Sequence, residues 1–331
     1  MKKIALEEAI IPEGMDLILE HKSHPEYSQH YHSLMDIGDI RLAEMDKANI
    51  ELSVLSITTP GLQGFALPSN LQLVACQWND YIIKAVQKHP KRFKAFACLP
   101  TYAPALAVQE MERIYKTPEI VGCLLNGYDN SGYSTAKYLD NPAYDDFWAC
   151  AETCDFPVYI HPRGIPEDRK ATYSDYPALR GSAWGFHIET AEHILRLMLS
   201  GVFDRYPKLK VIIGHMGEML PFWAWRIDHR IKEEGWREKI ACKKTIREYL
   251  QSNIFITTSG YFDTPALLHA KATMGTDRIM FSVDYPYENC VQAGHWMDTL
   301  SLSHEDKEKI AYKNASGLLK LQINVQDEAL G

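Results

Sequence analysis

Four short polar motifs, each directly after a short apolar run, constrain the fold of this chain most strongly. The runs cover residues 3–6, 158–160, 209–213 and 279–283 and are rich in Val, Ile and aromatic residues, as strands buried on both faces are. The motifs are Glu7-Glu8-Ala9, His161-Pro162-Arg163, Gly214-His215-Met216-Gly217-Glu218 and Asp284-Tyr285-Pro286. In a barrel of alternating strands and helices the carboxyl ends of the strands meet at one face, so the pattern predicts a single pocket there.

Strands and helices alternate along the rest of the chain. Further strands are predicted at residues 52–57, 93–99, 120–126 and 253–259. Apolar residues three and four apart predict helices at 36–48, 70–88, 104–115, 144–154 and 187–203. Eight such units favour an α/β fold of the closed (β/α)8 TIM-barrel type. A doubly wound open sheet is the alternative, but it requires a glycine-rich phosphate-binding turn that the sequence does not show.

Composition is consistent with one large core. The chain has 331 residues, 46% hydrophobic and 24% charged, which predicts a single domain spanning 1–331. A net charge of −8 with scattered Lys and Arg argues against a nucleic-acid partner or an anionic membrane surface. Since the sequence shows neither a secretion-signal pattern nor a membrane-spanning apolar run, we expect a cytoplasmic protein.

A metal site is predicted from Glu7, His161 and Asp284. A closed barrel makes its first and eighth strands neighbours, so Glu7 and Asp284 should lie close together. Two carboxylates in a low-dielectric pocket repel each other unless one is protonated or a cation binds between them. A divalent ion with the neutral His161 imidazole as third ligand resolves this conflict, although a lone strand-end histidine is also often a hydrogen-bonding residue. Side chains alternate along a strand, so Glu8 is expected in a buried salt link or facing the helices.

His215 and Glu218 form a second candidate pair. Their spacing on a tight turn allows the carboxylate to orient the imidazole and raise its basicity, as in acid–base catalysis. The alternative is an exposed turn histidine followed by a helix-capping glutamate.

Taken together, the motifs resemble those of the aromatic-acid decarboxylases of the amidohydrolase superfamily, the group of 2,3-dihydroxybenzoate, γ-resorcylate and 5-carboxyvanillate decarboxylases. The resemblance runs from residue 3 to about 321 and includes Trp225-Arg226-Ile227-Asp228-His229, Thr257-Thr258-Ser259-Gly260 and Phe281-Ser282-Val283-Asp284. It implies a distorted, amidohydrolase-like barrel with one divalent metal ion held by Glu7, His161 and Asp284. It also implies catalytic roles for Asp284, His215 and Glu218, and pocket positions for Asn126 and Arg226.

One departure within this group bears on the substrate. Where γ-resorcylate decarboxylases carry Glu-x-His, this chain has Glu7-Glu8-Ala9, the form of the 2,3-dihydroxybenzoate and 5-carboxyvanillate types. The resemblance therefore implies a 2,3-dihydroxybenzoate-type substrate. With one nitrogen ligand fewer, Mg²⁺ or Mn²⁺ suits the site at least as well as Zn²⁺. No motif for an organic cofactor is present.

The expected reaction is non-oxidative decarboxylation of an ortho-hydroxybenzoate to a phenol and CO2, reversible in principle. A metal ion can bind the carboxylate and the ortho oxygen together, and Asp284 or His215 can protonate the carbon that loses CO2. A metal-dependent hydrolase acting on an aromatic-catabolism intermediate is the first alternative. Hydrolases of the superfamily typically carry His-x-His on strand one and often a lysine on strand four, where this chain has Glu7-Glu8-Ala9 and Leu125-Asn126-Gly127. A non-catalytic metal-dependent binding protein is the second alternative.

Two long segments near 10–35 and 163–186 are predicted to be lid-like insertions. The first contains His21, His24, His30 and His32, and the second contains Trp184 and Phe186, which suit stacking on a planar aromatic carboxylic acid. The same aromatic residues could instead pack against another subunit, and a homodimer or homotetramer is expected.

Overall fold

A single sheet of eight parallel strands forms the centre of the molecule, and its strands follow one another in sequence order. The computed structural model describes residues 1–12, 25–64, 71–129 and 136–322. The strands are β1 (Lys3–Ile10), β2 (Ile50–Ile57), β3 (Phe93–Ala97), β4 (Ile120–Asn126), β5 (Val158–His161), β6 (Val211–Ile213), β7 (Ile254–Thr257) and β8 (Ile279–Met280). The predicted (β/α)8 barrel is confirmed.

Helices separate the strands and cover the outside of the sheet. They are α1 (Pro25–Met35), α2 (Asp39–Lys47), α3 (Leu71–Lys88), α4 (Pro104–Ile114), α5 (Asp145–Thr153), α6 (Gly185–Leu199), α7 (Val202–Arg205), α8 (His215–Glu218), α9 (Leu220–Glu233), α10 (Ile246–Ser252), α11 (Thr264–Met274), α12 (Cys290–Thr299), α13 (His304–Glu308) and α14 (Asn314–Leu319). Four of the five helices predicted from apolar spacing are present to within a few residues. The fifth, predicted at 187–203, is divided into α6 and α7 at Gly201, whose φ is 73°.

The strands are buried on both faces, which explains their continuous apolar runs. Every residue of β1 and β6 is buried, and Val158 and Ile160 of β5 are fully inaccessible to solvent. One face of each strand fills the barrel interior and the other packs against the helices, so no face is left for polar residues. Polar side chains are therefore expected near the ends of the strands, and Glu7 and Glu8, which are buried within β1, are exceptions.

The first strand is longer than predicted. Residues 3–6 were the expected span, but β1 continues to Ile10, which pairs with Ile57 of β2. The register shifts between Ala5 and Glu8, so the strand is irregular where its acidic residues lie. Glu7 thus lies within the strand and not after it, because pairing with the eight-residue β2 holds the segment extended.

The eighth strand is shorter than predicted, and the barrel is distorted at its seam. β8 ends at Met280, because the amide of Phe281 turns away to donate to the Ile310 carbonyl. Ser282 accepts hydrogen bonds at its Oγ from the amides of Leu6 and Glu7, at 3.0 and 2.7 Å. The amide of Ala9 donates to the Tyr285 carbonyl at 2.7 Å. These irregular contacts join the chain after β8 to β1.

The structure describes only part of the first long insertion and all of the second. In the first, residues 13–24, including His21 and His24, lie outside the described residues, and α1 follows. The His30 ring packs edge-on against Tyr287, which follows β8 in the sequence. The second insertion contains two 3-10 turns, Glu167–Tyr173 and Pro177–Arg180, and leads directly into α6. Across the described ranges, no helix combines the length and apolar character needed to cross a membrane.

Candidate active site

Three side chains from distant parts of the sequence meet at one end of the barrel: Glu7, His161 and Asp284. Glu7 Oε1 lies 3.1 Å from His161 Nε2, and one ligand atom from each of the three residues lies within 4.8 Å of the others. Glu7 comes from β1, His161 is the last residue of β5, and Asp284 follows β8. Asp284 has a φ of 80°, a left-handed conformation that is unusual outside glycine and asparagine. The barrel closure that makes β1 and β8 neighbours brings the two carboxylates together.

The two carboxylate oxygens of Glu7 have different surroundings. Oε2 accepts hydrogen bonds from the hydroxyls of Tyr159 and Ser259, the latter at 2.5 Å, and Thr257 Oγ1 lies 3.4 Å away. Oε1 is buried and has no hydrogen-bond partner in the described part of the chain. Burial alone would raise the pKa of Glu7, but His215 and His161 outweigh it and lower its pKa to about 2. One oxygen is thus fixed by the protein while the other faces the imidazoles.

Glu8 points elsewhere, as expected from strand alternation. Its Oε1 accepts from the Ser282 hydroxyl at 3.0 Å and from the Val283 amide at 3.1 Å. Burial raises the pKa of Glu8 to about 8, although the Arg41 guanidinium opposes this shift. Glu8 therefore supports the β1–β8 seam and is not part of the three-residue cluster.

His215 and Glu218 lie on a strained turn after β6. His215, Met216, Glu218 and Met219 have φ values of 46°, 57°, 51° and 63°, and such left-handed conformations each cost on the order of 1–3 kcal/mol. His215 Nδ1 lies 2.7 Å from Glu218 Oε1, and its Nε2 lies 3.5 Å from oxygens of both Glu7 and Asp284. The His215 side chain is 13% exposed and that of Glu218 is fully buried, which contradicts the alternative of an exposed turn histidine.

The charges of this pair depend on one another. Burial alone would lower the pKa of His215, but the carboxylates of Glu218 and Glu7 outweigh it, so its pKa lies well above 6.5. Burial alone would raise the pKa of Glu218, but His215 and His187 lower it overall. Burial, together with the charge of Glu7, raises the pKa of Asp284. The site thus combines an imidazole whose pKa is raised with carboxylates whose pKa values are shifted in opposite directions.

His187 is a site residue that sequence reasoning missed. Its Nδ1 lies 2.5 Å from Glu218 Oε2, and its ring centroid lies 5.7 Å from that of His215. It stands in the first turn of α6, directly after the aromatic insertion. The only sequence signal was its position next to Phe186, because a histidine at the start of an amphipathic helix is ordinarily a surface residue.

The other predicted pocket residues differ in their burial and in their position relative to the cluster. Asn126 ends β4 beside His161 of β5, donates weakly to the Ile57 carbonyl at 3.3 Å, and keeps a buried Oδ1 without a partner among the described residues. Phe186 is half-buried and Trp184 is 39% exposed at the start of α6. Arg226 is exposed on α9 and, within the described ranges, makes no hydrogen bond or ion pair with the cluster around Glu7. The structure therefore brings together the predicted residues near β1, β4, β5, β6 and β8, and leaves Arg226 apart.

Comparison with known proteins agrees with the fold. The family model for Amidohydrolase matches residues 30–321. A γ-resorcylate decarboxylase of Polaromonas sp. strain JS666 is 41% identical over 325 residues, which is 96% of this chain and 98% of that protein. The crystal structure of a 2,6-dihydroxybenzoate decarboxylase complexed with 2,6-dihydroxybenzoate superposes with a TM-score of 0.90 at 39% identity, covering 97% of this chain and 100% of that one. The Polaromonas dihydroxybenzoic acid decarboxylase, with bound manganese and the inhibitor 2-nitroresorcinol, gives a TM-score of 0.89 at 39% identity and 97% coverage of both chains.

An eight-stranded α/β barrel with carboxylates and imidazoles at the carboxyl ends of its strands defines a class of divalent-metal enzymes. This chain belongs to the amidohydrolase family, and within that superfamily it is a carboxy-lyase. The relatives named here are decarboxylases, which favours this interpretation over the hydrolase alternative.

Proposed function

We propose that the protein catalyses metal-dependent, non-oxidative decarboxylation of an ortho-hydroxybenzoate to the corresponding phenol and CO2. One observation carries the proposal: His215 Nε2 lies 3.5 Å from carboxylate oxygens of both Glu7 and Asp284, so a proton-carrying group faces a cation-binding cluster. The similarity to decarboxylases of γ-resorcylate, which is 2,6-dihydroxybenzoate, supports the substrate class.

The residues fit one divalent ion per chain, held by Glu7, His161 and Asp284. Glu7 Oε1 is a buried oxygen with no hydrogen-bond partner among the described residues, and the Glu7 and Asp284 carboxylates lie close together, an arrangement that a bound cation stabilises. Two carboxylates and one imidazole suit Mg²⁺ or Mn²⁺ as well as Zn²⁺. When bound, such an ion supplies positive charge for the carboxylate and the ortho oxygen of the substrate.

The remaining chemistry is the movement of one proton. The carbon–carbon bond to the carboxylate breaks, its electron pair stays on the ring, and a proton forms the new C–H bond at the same carbon. Two groups can deliver this proton: Asp284, whose pKa is raised by burial, and His215, whose pKa is raised by Glu218 and Glu7 against the effect of burial. A positive charge held by Asp284 favours the ionised form of Asp284, whereas Glu218, on the other side of the His215 ring, still favours a proton on His215.

Three further residues are the proposed contacts of the substrate ring. Asn126 presents a buried Oδ1 next to His161, and Phe186 and Trp184 stand at the start of α6 close to His187. We assign substrate binding to these three residues, since planar rings stack on aromatic side chains and an amide oxygen accepts from a hydroxyl. Arg226 remains a predicted pocket residue, although its exposed position on α9 sets it apart from the cluster.

Helix α9 also supports the proposal of a homodimer or homotetramer. Phe222, Trp223 and Trp225 on this helix are 71%, 49% and 67% exposed. Trp236, just after the helix, is 49% exposed. Exposed aromatic patches of this kind mark association surfaces. Sedimentation of the wild type and of Trp225→Ser tests this: we expect a defined oligomer that the variant weakens, and a monomeric wild type would contradict it.

A CO2-release assay across ring isomers tests the activity and its substrate together. We propose a 2,3-dihydroxybenzoate-type substrate from Ala9, while the relatives at about 40% identity are decarboxylases of the 2,6 isomer. The metal-loaded protein is offered 2,3-dihydroxybenzoate, 2,6-dihydroxybenzoate, salicylate and 4-hydroxybenzoate, with reaction in D2O to locate deuterium on the product. Release of CO2 from ortho-hydroxy acids alone supports the proposal. Equal turnover of 4-hydroxybenzoate contradicts it, and preference for the 2,6 isomer corrects the ring assignment.

A further inference from the structure

One buried carboxylate, that of Glu218, is shared by two imidazoles. His215 Nδ1 approaches Oε1 at 2.7 Å and His187 Nδ1 approaches Oε2 at 2.5 Å, so each ring has an oxygen of its own. The Glu218 side chain is fully buried, and those of His187 and His215 are 17% and 13% exposed. An ionised carboxylate only accepts hydrogen bonds, so both rings carry a proton on Nδ1.

The hydrogen bond from Nδ1 fixes where the His215 ring points. With Nδ1 bound to Glu218, the opposite nitrogen, Nε2, faces Glu7 and Asp284 at 3.5 Å. If Glu218 were held by His215 alone, the second oxygen would be a buried acceptor without a donor, and the carboxylate could satisfy it only by rotating away. The bond from His187 removes that alternative.

The second insertion determines the position of His187. A side chain at Gly185 would meet the carbonyl oxygens of Arg180 at 2.6 Å and Leu179 at 2.9 Å, so the turn Pro177–Arg180 packs directly on the start of α6. His187 follows two residues later, in the first turn of that helix. His187 thereby connects the insertion to the His215–Glu218 pair.

We propose that His187 is a positioning residue, which holds Glu218 and through it fixes the His215 imidazole toward the proposed metal site. The kinetic consequence of this inference rests on the proposed decarboxylase activity. The hydrogen-bond geometry does not depend on that activity.

Two substitutions separate positioning from general structure. His187→Ala removes the donor, whereas His187→Asn retains an amide donor close to the place of Nδ1. For decarboxylation of the preferred hydroxybenzoate we expect His187→Ala to lower kcat by about 10- to 100-fold, the range for groups that orient a catalytic or metal-binding side chain, with a smaller change in KM. His187→Asn should recover most of the loss, and metal content should be unchanged in both. His295→Gln, at an exposed position on α12, is the control and should behave as wild type.

A spectroscopic readout makes the test independent of turnover. In the Mg²⁺-loaded protein with ¹⁵N-labelled histidine, two strongly hydrogen-bonded Nδ1 protons are expected at low field. His187→Ala should lose one of them and shift the other, and His295→Gln should change neither. If the wild type decarboxylates no hydroxybenzoate, the proposed function fails while this readout still decides the geometry.

Two results would overturn the inference. One is a His187→Ala protein with wild-type kcat and an unshifted His215 proton. The other is a wild type that binds two metal ions per chain and a His187→Ala protein that binds one, which would make His187 an ion ligand. Should His187→Ala fail to fold, His187→Leu, which fills the space without a donor, takes its place beside His187→Asn.

Discussion

The hydroxyl of Tyr159 donates a hydrogen bond to Oε2 of Glu7, so a tyrosine on β5 fixes the orientation of a carboxylate on β1. Ser259 donates to the same oxygen, and the phenol is completely buried. Both donors act on one side of the carboxylate, which leaves Oε1 directed toward His161 and His215. The proposed ligand atom is thus selected by two residues outside the proposed ligand set.

Replacing Tyr159 with Phe should weaken metal binding. Without the hydroxyl, Glu7 can rotate, and loss of a group that orients a ligand typically costs about 10- to 100-fold in metal affinity. Competition with a chelator measures the Mn²⁺ affinity directly. Tyr206→Phe removes a hydroxyl bonded to Asp145 away from the site and serves as the control. Equal affinity in Tyr159→Phe and wild type would show that the hydroxyl does not position Glu7.

Gly214→Ala should disturb the site by steric conflict alone. A Cβ at this position would stand 2.6 Å from Glu7 Oε2 and 3.0 Å from Ser259 Oγ, distances that force the carboxylate to move. The φ of Gly214 is −80°, so alanine introduces no backbone strain there. We expect substoichiometric metal in the purified variant, measured by elemental analysis. Gly181→Ala is the matched control, since its Cβ meets nothing within 4 Å, and full metal content in both proteins would contradict the expectation.

Substitution of the proposed ligands should remove the metal itself. Glu7→Ala, His161→Ala and Asp284→Ala each delete one of the three proposed metal ligands, and a site with only three protein ligands should bind the ion far more weakly when one is lost. Elemental analysis of each variant should show far less than one ion per chain, and chelation of the wild type should abolish CO2 release. The control is Glu234→Gln, an exposed residue just after α9, and this variant should bind one ion per chain as the wild type does. A stoichiometric ion in any of the three ligand variants would remove that residue from the site.

The sequence pattern predicted the barrel well, because two-sided burial of parallel strands produces apolar runs that are visible without tertiary information. The bounds of β4 agree with the prediction, while those of β1 and β8 do not. The end of β8 depends on Phe281 donating to Ile310, a contact between segments that local propensity does not encode. Strand ends that are set by such tertiary hydrogen bonds could not be predicted from periodicity.

Some residues of the candidate site could likewise be predicted from the sequence, and others could not. His161, His215 and Asp284 could be found because polar residues after apolar runs stand out from their neighbours. Tyr159 could not, because an aromatic residue within a strand has the same pattern as a core residue. His187 depends on the path of the second insertion, which no repeat or spacing in the sequence determines.

The pH dependence of stability should reflect a buried histidine outside the site. His193 on α6 accepts a hydrogen bond from the Leu139 amide at Nε2, and burial lowers its pKa from 6.5 to about 3. The unfolded chain therefore binds a proton below pH 6.5 that the folded protein does not bind until near pH 3. Stability from this group is complete above pH 6.5 and is lost as the pH falls, by about 2 kcal/mol at pH 5. Urea unfolding at pH 7 and 5 should show a smaller pH difference for His193→Gln than for wild type; equal differences would contradict the assignment.

The most discriminating variants concern His215 and Glu218. If His215 carries the proton, His215→Ala should lower kcat by roughly 10²- to 10⁴-fold, the range for acid–base groups, with metal content unchanged. Glu218→Gln should have a smaller effect in the same direction, because it removes the charge that stabilises the imidazolium but keeps a side chain of similar shape. Single-turnover rates and elemental analysis of the same preparations separate the two roles. A metal-free His215→Ala protein would make His215 a ligand, and a fully active one would leave Asp284 as the proton donor.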